Sequence, residues 1–489
     1  MIQFLLNDQP TALEHVAPSM SVLQYLRTVL VQVGTKEGCA AGDCGACTVV
    51  VGELTGDPQN PSLQYKAVNA CITPMASLHG KQLITIEHLQ HQGQLHPVQQ
   101  AMVDCHGSQC GFCTPGIVMS LLAWWLGVQR GTAAPDRHGI ELALSGNLCR
   151  CTGYQPIIQA AEQSLRLCQD HFLQHQQEVV QLLQAIQGTP GAESLRTERG
   201  FYRPGTASEL ARLLEAHPQA QLVAGATDLG LEFTQQLHQP SKLIYTGGVK
   251  ELTQLQDTPD QVIIGAAVTY SSAQSTLHQH FPAFADLFNR LGSLQIRNQG
   301  TLGGNVANAS PIGDTPPVLL ALNATLKLTS IQGSRHVAIA DFFTGYRQTV
   351  LRTGEFIEAI MIPKLKADET LQVYKISKRF EDDISAVCMA IWMRREHNVV
   401  QAVRIGCGGM AAIPKRAKAT EQALLGKPFS ETSINLAKQA LAQDFQPIDD
   451  IRASAAYRLA VAGNLLTRAH LELNQQGVSL FAEAGGTSQ

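Results

Sequence analysis

Residues 38–47, which read Gly-Cys-Ala-Ala-Gly-Asp-Cys-Gly-Ala-Cys, decide the fold of the N-terminal part of the chain. Cys39, Cys44 and Cys47 form a C-x4-C-x2-C pattern, and Cys71 follows downstream. This is the spacing of plant-type 2Fe–2S sites. Glycine and alanine let the backbone fold tightly, so that amide N–H groups can donate to sulfur and tune the reduction potential. The pattern predicts a 2Fe–2S cluster. The alternative is a zinc knuckle, which usually has paired C-x2–4-C arms.

A second group of four cysteines lies in a segment with helical periodicity. Cys110 and Cys113 form C-x2-C, and Cys149 and Cys151 form C-x-C. Each pair precedes a proline-marked helix start, where free N–H groups and the helix dipole favour an anionic thiolate cluster. Tetrahedral zinc is again the alternative, although a one-residue gap is less usual for zinc. We expect a second 2Fe–2S cluster.

The overall composition indicates which classes of protein are improbable. The 489 residues are 44% hydrophobic and 16% charged, with a net charge of −4 and no dense basic tract, which argues against nucleic-acid or membrane binding. The start lacks the basic region of a signal peptide. Twelve cysteines in such a chain are expected to hold metal in a reducing compartment, so we expect a cytoplasmic protein. Four cysteines outside both groups are expected to be small buried apolar residues: Cys105, Cys168, Cys388 and Cys407.

Hydrophobic periodicity predicts a multidomain α+β fold. Alternating apolar residues in the first part indicate a small mixed sheet, and the following segment is helical, with Pro97, Pro115 and Pro156 in the first turns of helices. Strand patterns then resume, and helices are expected near residues 417–425, 431–443 and 452–472. The predicted units are 1–87, a ferredoxin-like β-grasp domain; 88–168, a helical bundle; 169–198, a helical tail and linker; 199–368, a two-lobed α+β domain; 369–475, a C-terminal α+β domain; and 476–489, a tail.

Two glycine-containing loops form another candidate site. Residues 222–230 run from a predicted strand into a predicted helix, so their amides could cradle a diphosphate, with Gly225 allowing its close approach. Residues 298–306 form the second loop, and Ser310 and Asp314 lie just beyond it. Such turns are common after strands, and no G-x-G-x-x-G follows a strand. The loops therefore indicate possible phosphate binding without a Rossmann domain.

Together these motifs resemble those of the molybdenum hydroxylases. The two cysteine groups, with residues 107–116 and 146–154 around the second, are similar to the family's two iron–sulfur domains. Residues 297–314 are similar to its FAD domain, and residues 375–384 strengthen the likeness, which covers nearly the whole chain. The resemblance implies a 2Fe–2S ferredoxin-like domain, a helical 2Fe–2S domain, an FAD-binding domain and a C-terminal flavoprotein domain.

This resemblance implies an electron-transfer subunit of a purine-oxidising member of the family. Electrons from hypoxanthine or xanthine hydroxylation on a molybdopterin-binding large subunit would pass through two 2Fe–2S clusters to FAD and then to NAD⁺. A heterotetramer of two small and two large subunits is expected, with no catalytic residues on this chain. Two alternatives stay open. One is a small subunit that serves aldehyde or N-heterocycle oxidation or uses oxygen as acceptor; the other is a zinc-binding interaction protein.

The resemblance also assigns roles to individual residues. Asp314 is expected to reach the ribityl or ribose side of FAD, and Gln109 matches a residue that faces the partner's pterin. The acidic run 381–383 would lie near the isoalloxazine ring and disfavour reduced flavin, unless it is a solvated turn. The implied FAD contacts are Val223, Ala224, Gly225, Ala226, Thr227, Asp228, Leu229, Gly230, Gly303, Gly304, Asn305, Ser310, Asp314, Ile357 and Lys375. The implied cluster ligands are Cys39, Cys44, Cys47, Cys71, Cys110, Cys113, Cys149 and Cys151.

Overall fold

A computed structural model describes residues 1–57, 59–167, 170–188, 195–197 and 200–474. The expectation for Cys168 and the predicted tail 476–489 fall outside these ranges. The predicted α+β class is confirmed, and the predicted domain boundaries stay predictions. Within the described part of the chain, no helix combines the length and apolar character needed to cross a bilayer.

The N-terminal domain is a five-stranded mixed sheet. Its elements are β1 (Ile2–Leu6), β2 (Gln9–Leu13), the short α1 (Val22–Gln24), β3 (Thr48–Asp57), β4 (Asn60–Asn69) and β5 (Gln82–Ile84). The strand order is β2-β1-β5-β3-β4, and only the β1–β5 pair is parallel. Val49 and Val51 face the domain's own core, while Val50 faces the helical domain. Strand β3 has consecutive apolar residues here because both faces of the sheet are covered.

Four helices and a short fifth one, through its Phe172, pack around one apolar core, and a further helix lies beyond it among the described residues. They are α2 (Pro97–Asp104), α3 (Thr114–Gln129), α4 (Arg137–Leu144), α5 (Gln155–Ser164), α6 (His171–Gln174) and α7 (Gln176–Gln187). Pro97, Pro115 and Pro156 occupy first turns, as predicted. The last helix packs Val179 and Leu183 on the N-terminal sheet, so the predicted tail is in part a docked helix.

The third region contains a four-stranded sheet, a five-stranded sheet and a separate two-stranded hairpin among its described residues. Its first part contains β6 (Leu195–Arg196), β7 (Phe201–Arg203), α8 (Ala207–Ala216), β8 (Gln221–Val223), α9 (Leu229–Thr234) and β9 (Leu243–Tyr245). Its second part contains β10 (Leu255–Asp257), β11 (Gln261–Gly265), α10 (Tyr270–His280), α11 (Pro282–Phe288), α12 (Leu294–Arg297), α13 (Leu302–Ala307), α14 (Thr315–Ala321), β12 (Thr325–Ser330), β13 (Gly333–Ala338), the hairpin of β14 (Phe343–Gly345) and β15 (Gln348–Thr349), and β16 (Phe356–Pro363). The sheet orders are β6-β7-β9-β8, whose last three strands are parallel, and β10-β11-β16-β12-β13, which is antiparallel.

The C-terminal region is an antiparallel sheet covered by helices. It comprises β17 (Glu369–Ile376), β18 (Val387–Glu396), β19 (Val399–Gly408), β20 (Lys415–Arg416), α15 (Lys418–Leu424), α16 (Glu431–Asp444) and α17 (Ala455–Leu473). The three helices lie close to their predicted positions. Helix α14 packs on this sheet, since a Cβ at Gly406 would lie 2.0 Å from the Pro317 carbonyl oxygen. This contact joins the sheet to the third region.

Candidate cofactor sites

The first cysteine group is brought together by the β3–β4 pair. Thr48 pairs with Asn69, so Cys47 just before β3 and Cys71 just after β4 meet at one end of the sheet. The Cys71 thiol donates a hydrogen bond to the Cys47 sulfur, which lowers the pKa of Cys47 and raises that of Cys71. Cys47 and Cys71 are both buried. They form one pair of candidate ligands.

Cys39 and Cys44 form the other pair of this group. The Cys44 thiol donates to the Cys39 sulfur, and this contact lowers the pKa of Cys39 and raises that of Cys44. The backbone N–H groups of Ala41 and Cys44 also donate to the Cys39 sulfur, at 3.3 and 3.4 Å. The loop can turn its amides this way because Gly42 and Gly45 adopt φ of +81° and +66°. The loop is thus suited to negatively charged sulfur.

The second group also divides into two pairs, Cys110 with Cys151 and Cys113 with Cys149. The pKa of Cys110 is lowered by the Phe112 N–H and by the Cys151 thiol. Burial opposes ionisation of Cys149, but the Thr152 hydroxyl, 3.2 Å from its sulfur, helps to lower its pKa. Burial and the neighbouring Cys149 raise the pKa of Cys113. Cys110 and Cys151 are exposed, so this group lies at the surface.

The pairing bears on the choice between zinc and iron–sulfur. In the part of the chain that the structure describes, no three His, Cys, Asp or Glu side chains are arranged around one point as a single metal ion requires. A structural zinc site needs four ligands around one ion. A 2Fe–2S cluster has two irons and takes its four thiolates two by two. The thiols of each cysteine group are paired two by two, as the four ligands of a cluster of two irons are.

The two cysteine groups are in direct contact. The Leu148 N–H donates to the Cys44 carbonyl oxygen at 3.0 Å, and Asn147 Nδ2 donates to the Gly45 carbonyl oxygen at 3.1 Å. Packing is so close that a Cβ at Gly45 would lie 2.2 Å from the Gly146 carbonyl oxygen. One hydrogen bond therefore connects Cys44, in the first group, to the residue next to Cys149.

A cavity of about 470 Å³ lies where the two glycine loops meet. Most of the predicted FAD contacts line it, but Gly230, Asp314 and Lys375 do not. Sequence reasoning missed Tyr270 and Phe356, which lie outside both loops, and it did not single out Thr301 within the second loop. The predicted residues on its wall are Val223, Ala224, Gly225, Ala226, Thr227, Asp228, Leu229, Gly303, Gly304, Asn305, Ser310 and Ile357.

Gly225 has a steric role that the sequence did not predict, and its predicted role at the diphosphate stays a prediction. A Cβ there would lie 1.9 Å from the Gln299 carbonyl oxygen, so glycine is required where the first loop crosses the second. The second loop is fixed by Thr301, whose hydroxyl accepts from the Gly304 N–H at 2.9 Å and caps α13. The loop crossing therefore shapes the cavity wall along residues 223–229.

Asp314 and Lys375 form a buried ion pair beside the cavity. Lys375 Nζ donates to Asp314 Oδ2 at 2.5 Å, and the Ser385 hydroxyl donates to Asp314 Oδ1 at 2.5 Å. Both carboxylate oxygens of Asp314 are therefore bound by protein groups, and Asp314 precedes α14 next to the lining residue Gly313. Contact of Asp314 or Lys375 with FAD stays a prediction.

The acidic run 381–383 lies partly buried between the cavity and the first cysteine loop. Ile384, the next residue, lines the cavity. Burial and the nearby Asp43 carboxylate raise the pKa of Asp382 to about 6, and burial raises the pKa of Glu381. Arg379 and Arg297 partly compensate the charge of Asp382, and burial lowers the pKa of Arg297 to about 10. The run is more enclosed than a solvated turn.

Family models match most of the chain in four segments. Residues 4–76 match a 2Fe-2S iron–sulfur cluster binding domain and residues 85–162 a 2Fe-2S binding domain. Residues 195–365 match the FAD binding domain in molybdopterin dehydrogenase, and residues 372–473 match the CO dehydrogenase flavoprotein C-terminal domain.

Similar curated proteins include xanthine dehydrogenases. That of Drosophila pseudoobscura pseudoobscura is 33% identical over 545 residues, covering 99% of this chain and 40% of the relative. That of Emericella nidulans is 32% identical over 91% of this chain and 36% of the relative. The chain thus spans about 40% of the length of these relatives or less.

Solved structures resemble a part of the chain. A chain of carbon monoxide dehydrogenase from Hydrogenophaga pseudoflava is 28% identical, with a TM-score of 0.54, and the match covers 58% of this chain and all of the other. A chain of quinoline 2-oxidoreductase from Pseudomonas putida 86 is 26% identical, with a TM-score of 0.52, and the match covers 56% of this chain and 96% of the other.

Proposed function

We propose that the chain belongs to the molybdenum hydroxylase family and is the electron-transfer subunit of a xanthine dehydrogenase, because its segments match iron–sulfur and FAD-binding family models and xanthine dehydrogenases are among the similar curated proteins. The observation that carries the proposal is the contact between its cysteine groups, in which the Leu148 N–H donates to the Cys44 carbonyl oxygen. When bound, the clusters accept one electron each, and FAD collects two electrons for hydride transfer to NAD⁺. The chain's own residues hold these groups in sequence.

The proposed order of electron transfer follows from the solvent exposure of the two cysteine groups. The second cysteine group is at the surface, with Phe112 48% and Leu148 54% exposed beside it, whereas Cys47 and Cys71 are buried. An apolar, exposed surround is suited to docking the molybdopterin-binding large subunit. Electrons would enter at the second group, cross the Leu148–Cys44 contact to the first, and reach FAD in the adjoining cavity.

The proposed FAD contacts are the predicted residues, of which the cavity-lining ones have the most support. The backbone of residues 223–229 would carry the diphosphate, and Gly303 and Gly304 would lie along the flavin. Arg290 holds the segment that leads to the lining residue Ile384, because its guanidinium donates to the Lys375 and Phe380 carbonyl oxygens at 2.6 and 3.0 Å. Asp314 and Lys375 would lie behind the residues that line the cavity, as a fixed ion pair.

Xanthine as substrate is supported by the name xanthine dehydrogenase, which the similar curated proteins carry. NAD⁺ as acceptor belongs to the same proposal. A heterotetramer of two small and two large subunits is part of the same proposal. Cytoplasmic location agrees with the cysteines within the described ranges, all of which are free thiols.

Activities of the chain alone and with its partner test the proposal. Alone, it should oxidise NADH with an artificial electron acceptor but should not oxidise xanthine. Addition of the molybdopterin-binding subunit should restore xanthine-to-NAD⁺ turnover. Xanthine oxidation by the isolated chain, or no NADH oxidation by protein with full FAD content, would contradict the proposal.

Docking at the second group can be tested separately. Gln109 is exposed and precedes Cys110, so Gln109→Trp should impair xanthine-to-NAD⁺ turnover in the reconstituted complex and leave NADH oxidation unchanged. The matched control is Gln129→Trp, at the other end of α3 and about 24 Å along the helix, which should change neither activity. Equal loss of both activities in the Gln109 variant would point to misfolding.

A second candidate is a small subunit serving another substrate. The similar solved structures belong to enzymes named for carbon monoxide and quinoline, so the same folds accompany other chemistry. A substrate screen on the copurified complex distinguishes them. Turnover of an aldehyde or N-heterocycle without turnover of hypoxanthine or xanthine would favour this second candidate.

A further inference from the structure

One short helix connects the flavin cavity with the first cysteine loop. Helix α9 begins at Leu229, directly after the loop that lines the cavity, and ends at Thr234. Its first turn is held against the N-terminal domain, because a Cβ at Gly230 would lie 3.0 Å from Ile72 Cβ. The far end of the helix is therefore fixed near residues 39–41.

Two side chains at that end donate to the backbone of the cysteine loop. Thr234 Oγ1 donates to the Ala40 carbonyl oxygen at 2.6 Å. Gln235 Nε2 donates to the same oxygen at 3.1 Å and to the Cys39 carbonyl oxygen at 3.0 Å. The Thr234 hydroxyl is also 3.2 Å from the Gly230 carbonyl oxygen, a longer distance than its contact with Ala40.

The Ala40 carbonyl belongs to the peptide unit that touches the sulfur of a candidate ligand. The Ala40 C=O and the Ala41 N–H are the two ends of one planar peptide group. That N–H donates to Cys39 Sγ at 3.3 Å, and Ala40 takes a φ of +52°, which directs the peptide unit. A hydrogen-bond chain thus runs from Thr234 through one peptide unit to the sulfur.

Such a chain of hydrogen bonds changes the strength of its last bond, from the Ala41 N–H to Cys39 Sγ. A donor at the carbonyl polarises the peptide group and strengthens its N–H as a donor. Stronger hydrogen bonds to the sulfurs favour the more negative, reduced cluster and raise its reduction potential. Reduction adds one electron, which converts one ferric ion to ferrous, and no proton moves and no bond to Cys39 breaks.

We propose that Thr234 and Gln235 are positioning residues that raise the reduction potential of the first 2Fe–2S cluster. The inference rests on the proposed function, which assigns a cluster to Cys39, Cys44, Cys47 and Cys71. The flavin region thereby biases electrons toward the cluster next to its own cavity. The second cysteine group has no part in this contact and serves as an internal reference.

The test is a redox titration of the full chain with dithionite, followed by the EPR signals of both clusters. Thr234→Val keeps the shape of the side chain and removes the hydrogen-bond donor. The equilibrium constant for reduction of the first cluster should therefore fall about threefold. That is a shift of about 30 mV to lower potential, at 59 mV per tenfold change for one electron. In the double variant Thr234→Val/Gln235→Ala, this equilibrium constant should fall about tenfold.

Matched variants separate this effect from general damage. Thr234→Ser retains the hydroxyl and should keep the wild-type potential. Gln236→Ala removes a neighbouring exposed glutamine and should shift neither cluster. If the double variant loses iron, Thr234→Val and Thr234→Ser decide the question alone.

Two results would overturn the inference in protein that holds about four irons and shows two EPR signals. One is an unchanged first-cluster potential in the double variant. The other is an equal shift of both clusters. A wild-type chain without two signals would instead overturn the proposed function itself.

Discussion

The buried pair of Asp314 and Lys375 allows a quantitative prediction. The charges are 2.5 Å apart, and the two side chains are 8% and 2% exposed. At an effective dielectric constant of about 20 the gross attraction is about 7 kcal/mol, most of which the desolvation of both ions offsets. Lys375→Met leaves the Asp314 carboxylate buried with only Ser385 as a side-chain donor. We expect this variant to lose about 3–5 kcal/mol of stability.

Urea unfolding followed by FAD fluorescence measures this loss. The double variant Asp314→Asn/Lys375→Met removes both charges and should recover most of it. The matched control is Lys327→Met, which breaks the more exposed pair with Glu358 and should cost at most about 1 kcal/mol. FAD affinity is a separate readout. If Lys375 contacts FAD, affinity stays low in the double variant even though stability returns. Equal unfolding midpoints for Lys375→Met and the wild type would refute the reasoning.

Three further predictions concern the acidic run, the cysteine groups and the loop crossing. Because burial raises the folded-state pKa of Asp382 to about 6, folding loses stability as the pH rises from about 4 to 6. Asp382→Asn should therefore be more stable than the wild type at pH 7, by at most about 3 kcal/mol, and equal to it at pH 4 in urea unfolding; a gain at both pH values would contradict this. Cys44→Ser and Cys149→Ser should each remove a different EPR signal, and loss of the same signal in both would show that the grouping is wrong. Gly225→Ala should force the Gln299 backbone away and give flavin-poor protein with both clusters intact. Full FAD occupancy in this variant would show that the Gly225–Gln299 contact is not needed for FAD binding.

Local patterns predicted the parts of the fold that depend on short-range signals. Proline at Pro97, Pro115 and Pro156 marked helix starts correctly, because its φ and missing N–H suit the first turn. The cysteine spacings likewise predicted the two groups. Cys388 and Cys407 are buried as expected, whereas Cys105 is only partly buried.

Long-range contacts were not predictable from the sequence. Nothing in the pattern around Leu148 indicates that its N–H meets Cys44, more than a hundred residues away, because that contact depends on how two domains pack. Gly225 lines the cavity, but its steric partner, the Gln299 backbone, lies in the other loop. The pairing of Asp314 with Lys375 also arises only when α14 and β17 come together.

The central claim is that one chain carries electrons between NAD⁺ and two clusters through FAD. Anaerobic addition of NADH to the isolated chain, followed by EPR of frozen samples, tests it most directly. We expect the flavin to be reduced and the signals of two distinct reduced 2Fe–2S clusters to appear, in protein with about four irons per chain. Flavin reduction without either cluster signal, in protein with its full iron content, would contradict it.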